Sequence, residues 1–172
     1  MKANTASRPR VVQRGASDRF RVLVKEAGSS PLTSGGAEAY DQTVVIAQMK
    51  GESPSSFTAR VLERVTLLAR SGRRLCAATL QASDRHDCAT LVARRTMLLA
   101  LLREAGQGGG ISEVLLEARG SAASAGSAEL LVLVDELLQR PECDAVPVRL
   151  RFQGTVEAAP DADSGVFWVV PP

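Results

Sequence analysis

The chain has a single histidine, His86, and it stands in the run Asp84, Arg85, His86, Asp87, Cys88. Any Ser-His-Asp or Cys-His nucleophilic mechanism must use that imidazole, and no G-x-S-x-G elbow presents a serine to it. A metal site here would draw on Asp84, His86, Asp87 and Cys88. On a helix, however, Asp84 and Cys88 share one side while His86 turns away, and the spacing is not a ligand pattern. The run reads instead as a capped helix start, with carboxylates placed near the positive end of the helix dipole. The sequence therefore assigns no catalytic residue, no metal ligand and no cofactor.

Two further segments carry chemistry of a milder kind. Residues 119–127 (RGSAASAGS) are small and polar and join a strand to a helix, the geometry in which backbone N–H groups cradle an anion. Gly120, Ser121, Gly126 and Ser127 are the candidate contacts. The segment is neither G-x-x-x-x-G-K-[ST] nor G-x-G-x-x-G, and it holds no lysine for a phosphate. The turn after residues 43–49 supplies Lys50 and Ser53 as further anion contacts, and Glu52 beside Lys50 as an acid–base pair. Ser127 and Ser53 also read as plain helix caps.

The three cysteines, Cys76, Cys88 and Cys143, are odd in number and unpaired in spacing, which fits reduced thiols and a cytoplasmic chain. Cys76 falls in a strand expected to be buried and Cys88 on an inward helix face, so both are expected to be inert; Cys143, in a loop, is the accessible one.

The elements that must position these groups follow from periodicity. Residues 43–49 (TVVIAQM) form a β-branched run ending in a turn; Ser53 caps, and Pro54 opens, a helix whose apolar face is Phe57, Val61, Leu62, Val65, Leu68 and Ala69, stopped by Gly72. Residues 75–80 (LCAATL) read as a strand covered on both faces. A helix capped by Ser83 or Asp84 follows, ending at Gly106 with Cys88, Leu91, Leu98, Leu99 and Leu102 inward. Residues 113–118 make a third strand. The next helix runs through Leu130, Leu131, Val134, Leu137 and Leu138 and halts before Pro141. In the fourth strand Val146, Val148, Leu150 and Phe152 alternate with Pro147, Arg149 and Arg151, as at a sheet edge.

Strands alternating with long amphipathic helices imply right-handed βαβ crossovers, hence an α/β fold: a three-layer α/β/α, Rossmann-like arrangement around a mostly parallel sheet of four core strands. The order 2-1-3-4 places the fourth strand at an edge and residues 43–49 inside. Residues 20–25 and 166–170 are short terminal strands expected at the edges, in antiparallel pairing or paired with each other. Residues 1–17 read as a flexible basic tail and 18–172 as one domain.

With 172 residues, 45% of them hydrophobic and 23% charged, the chain is neither disordered, collagenous nor a disulfide miniprotein. It contains no apolar run of membrane-spanning length and no secretory leader is apparent. Residues 1–103 hold 17 basic against 8 acidic side chains, and the rest 4 against 11, so the two halves differ in sign. Seven Lys or Arg lie in the first 25 residues, yet only 3% of the chain is aromatic, which argues against a base-stacking nucleic-acid arm.

The stretch 43–65 (TVVIAQMKGESPSSFTARVLERV), with LARSGRRLCAATL after it, resembles the opening βαβ unit of universal stress proteins, and that resemblance implies a nucleotide or phosphate ligand. The strand-end aspartate of that family is Gln48 or Met49 here, and its paired-glycine loop is not reproduced at Gly120 and Gly126. Taken together, the residues point to a non-catalytic protein-binding or assembly module that joins a protein partner or a second copy. The alternative is a small-molecule domain holding a nucleotide or phosphate.

Overall fold

A computed structural model describes residues 19–29, 42–119, 125–141, 144, 146–153 and 166–167. The expected basic tail, and residues 168–170 of the last strand, lie outside them. The chain builds β1 (Arg19–Lys25), β2 (Gln42–Ala47), α1 (Pro54–Arg70), β3 (Arg74–Gln81), α2 (Cys88–Gly108), β4 (Glu113–Arg119), α3 (Ala125–Leu138), β5 (Val148–Gln153) and β6 (Val166–Phe167). The six strands form one sheet in the order β2-β1-β3-β4-β5-β6. β1 to β5 are mutually parallel, and β6 runs antiparallel to β5. The fold is thus α/β with a mostly parallel sheet.

The order 2-1-3-4 holds in the count that begins at β1, and continues 5-6. The identity of the inner strand is corrected. Residues 20–25, expected at an edge, lie between β2 and β3, whereas residues 43–49 supply the outermost strand. Phe20, Val22 and Val24 are buried against the helices, while Arg21 and Lys25 project from the opposite face, which tolerates polar groups. Alternation therefore marked a one-sided interior strand, and the unbroken apolar run of β2 did not guarantee burial: Val45 is 55% exposed. The expected fourth strand is flanked in turn by β6 and is not the last in the sheet.

The three described helices occupy one face, so the second helix layer of the expected three is not formed by described residues. The cause is the direction of the crossovers. β2 to β3, β3 to β4 and β4 to β5 all advance the same way along the sheet, and right-handed connections then deposit every helix on the same side. Only β1 to β2 steps backwards. A single core results, in which Val22, Val24, Leu80, Leu116 and Leu150 of the sheet meet Phe57, Val61, Met97, Leu98, Leu130 and Val134 of the helices.

Local signals account for the helix ends. The Ser53 hydroxyl accepts from the Ser56 N–H and Pro54 takes the first position of α1. Ser71 ends that helix and Gly72, at φ +81°, turns the chain into β3. α2 departs from expectation: its cap is Asp87, not Ser83 or Asp84, and it runs two residues past Gly106. Cys88 is consequently the first residue of the helix and exposed, while Cys76 is buried in β3. α3 starts at Ala125, so Ser127 lies in its first turn instead of capping it.

Candidate functional site

The chain leaves β1 outward to β2 and returns over it to β3, so strand order reverses at β1. In open parallel sheets ligands bind outside the carboxyl ends of the strands at such a point. Here three clasps lie at the ends of β1, β2 and β3 among the described residues.

The innermost clasp is built on Glu26, the residue after β1. Its carboxylate accepts Arg94 Nε at 2.7 Å and Nη2 at 2.8 Å, and the Ser83 N–H and hydroxyl at 2.8 Å each. Arg94 Nη2 also donates to the Ser83 carbonyl at 2.8 Å. Arg94 is fully buried, and its Nη1 has no hydrogen-bond partner among the described residues. One bidentate ion pair thereby joins the ends of β1 and β3 to α2.

The second clasp closes the turn after β2. Gln48 accepts from the Ala27 N–H at 3.1 Å and donates to the Glu52 carbonyl at 2.8 Å, tying the ends of β1 and β2. Glu52 takes Arg60 in a fork at 2.9 and 2.7 Å and accepts the Met49 N–H at 2.9 Å. The Arg60 hydrogen bonds hold the Glu52 carboxyl below its usual range, against a smaller opposing effect of desolvation. Arg60 also donates to the Ala47 carbonyl at 2.7 Å.

The third clasp is Asp87, which accepts the Thr90 N–H at 3.0 Å and hydroxyl at 2.9 Å and pairs with Arg85 at 3.1 Å. The Thr90 N–H is the main cause that keeps the Asp87 carboxyl low. Between the clasps remains a cavity of about 10 Å³ lined by Glu26, Gln48, Phe57, Ser83, Thr90 and Met97, among others, enough for about one water.

The expected anion contacts are not gathered there. Lys50 is exposed in the turn after β2, and the Ser53 hydroxyl is engaged in capping. Gly126 and Ser127 belong to the first turn of α3, after β4. Gly120 and Ser121 lie outside the described residues. β1 and β3 separate β2 from β4, about 14 Å at the usual strand spacing, so the two candidate segments are not neighbours. His86 lies 3.5 Å from Glu129 of α3. Among the described residues no group of three or more His, Cys, Asp or Glu is placed to hold a metal ion.

Glu26 and Arg94 were not singled out from the sequence. The available signal was Arg94 itself: a charged residue inside the stripe Thr90, Ala93, Met97, Leu98, Leu101 needs a buried partner.

Two surfaces are open among the described residues. Between α2 and α3 an apolar groove of about 380 Å³ is lined by Leu91, Val92, Val132 and Leu133, with Arg95 and Glu136 paired on its rim. At the far side of the sheet, no described strand pairs with the outer edge of β2. Its six residues, QTVVIA, contain no charge and no proline, and four of them are exposed. No family model, curated protein or solved structure matches the chain. No helix among the described residues is long and apolar enough to cross a membrane.

Proposed function

We propose that this domain is a non-catalytic protein-binding or assembly module, acting in the cytoplasm, that joins other chains through the open edge of its sheet. The observation that carries the reading is β2. Edge strands in isolated domains are ordinarily blunted by lysine, proline, bulges or cover, because unpaired backbone groups recruit another strand. β2 carries neither lysine nor proline, pairs with β1 in unbroken register and leaves Val45 more than half exposed. At the carboxyl ends of β1, β2 and β3, where a small-molecule domain keeps its pocket, the described polar groups are in contrast paired with each other in Glu26–Arg94, Glu52–Arg60 and Asp87–Thr90.

Native mass spectrometry of the purified full chain tests this. The expected result is a complex of defined stoichiometry, with a second copy or another protein, that retains no small molecule. A monomer carrying a nucleotide or phosphate would overturn the reading in favour of the small-molecule alternative.

A further inference from the structure

Hydrogen bonding within the sheet determines which groups of β2 face outward. The Gln48 N–H reaches back to the Lys25 carbonyl at 2.8 Å, so the even-numbered residues of β2 spend their backbone groups on β1. Thr43, Val45 and Ala47 then direct N–H and C=O away from the sheet. The donation of Arg60 to the Ala47 carbonyl agrees with this, since that oxygen is reached from outside the β1–β2 ladder.

Side chains sort by the same alternation. Ile46 lies in the helix-side core with Val44 against it. Thr43 and Val45 lie on the face away from the described helices, where Arg21 Nε donates to the Thr43 hydroxyl at 3.0 Å. On that face the register aligns Leu115, Thr79, Leu23 and Val45 in one cross-strand row. Leu115 and Leu23 are buried, and the row ends at an exposed valine. It stops as though its next member were missing.

We infer that the missing member is Val45 of a second copy of this chain, paired antiparallel through β2 about a two-fold axis normal to the sheet. The inference rests on the assembly reading and names its partner. An axis in that direction keeps the helix faces of both copies on one side, so opposed residues must share parity. Centring on Val45 opposes Val45 to Val45, Thr43 to Ala47 and Val44 to Ile46. This register pairs every outward backbone group of β2, with about six hydrogen bonds across the axis. It sets no like charges against each other, because the strand has none. A register centred on Val44 opposes residues whose hydrogen-bonding groups already serve β1. Self-complementarity in both backbone and side chains favours a second copy over an unrelated strand, for which the edge offers no charged specificity.

The test uses the full chain with Cys88→Ser and Cys143→Ser, adding Val45→Cys, Thr43→Cys or Ala47→Cys in turn. Opposed residues of a hydrogen-bonded antiparallel pair have Cα atoms ~5.5 Å apart, within disulfide reach. On mild oxidation Val45→Cys should cross-link to itself. Thr43→Cys and Ala47→Cys should cross-link with each other when mixed, and not to themselves. By sedimentation equilibrium the parent chain should dimerise, and Val45→Lys, which sets two ammonium groups face to face at an exposed position, should raise the dimer Kd on the order of 100-fold with unchanged circular dichroism. A dimer that survives Val45→Lys, or a different cross-linking pattern, overturns this pairing and leaves the assembly reading standing. A chain that is monomeric on its own but complexed with another protein in native mass spectrometry does the same. A monomer that retains a small molecule overturns both.

Discussion

Replacing Glu26 by glutamine removes the negative partner of a guanidinium that is itself wholly buried. The carboxylate accepts four hydrogen bonds, two from Arg94 and two from Ser83. Glutamine keeps one acceptor oxygen and turns an NH₂ toward donors. Breaking one side of a buried ion pair costs ~3–5 kcal/mol, because the remaining charge stays desolvated without compensation. For a chain of this size ~1 kcal/mol moves the melting temperature by ~2–4 °C, so Glu26→Gln should lower it by roughly 6–20 °C. Arg94→Met should cost a similar amount by stranding Glu26. The double variant Glu26→Leu with Arg94→Met should recover most of the loss, since apolar residues of matching volume replace buried ion pairs at little net cost. Urea denaturation of the parent chain, Glu26→Leu, Arg94→Met and the double variant, followed by circular dichroism, yields the coupling energy, expected to be at least ~2 kcal/mol. A single-variant loss below ~1 kcal/mol, or costs that simply add in the double variant, would refute the claim that this pair clasps β1, β3 and α2.

Stability should also depend on acid in a defined sense. The Glu52 and Asp87 carboxyls are held below their ordinary values of 4.5 and 3.8, so their contributions are complete above those values and are lost as pH falls through the lower folded-state values. Thermal melts should show a decline below about pH 4.5, and Glu52→Gln should make that decline shallower; an unchanged acid limb would count against the Arg60 clasp. Thiol labelling of the native protein, mapped by peptide mass, should modify exposed Cys88 quickly and buried Cys76 only after unfolding. Equal rates would contradict the placement of Cys88 at the start of α2. Leu80→Ala, at a site with no exposed surface in the central strand, should cost ~2–5 kcal/mol in denaturant titration. Ser53→Ala, which removes the cap of α1, should cost ~1 kcal/mol by the same measurement.

Local chemistry was legible along the chain. Ser53 with Pro54 opened α1, Gly72 closed it, and residues 43–49, 75–80 and 113–118 announced β2, β3 and β4, because caps, turns and periodicity are set by neighbours within a few positions. Lateral arrangement was not. Whether residues 19–25 or 42–47 take the inner place depends on which strand completes the sheet, and neither the alternation of the first nor the unbroken apolar run of the second decides it. The misplaced interior strand also put the two candidate anion segments side by side, whereas β1 and β3 lie between them. Glu26 and Arg94 are 68 positions apart, and nothing local to either names the other. Their meeting follows from the parallel pairing of β1 with β3, which brings α2, the helix after β3, over the ends of both strands. Periodicity, then, decided which segments became strands and helices. Tertiary contact alone decided which edge of the sheet was left open and which charges were sealed beneath a helix, because both depend on residues that are distant in the chain and adjacent only once the core has formed.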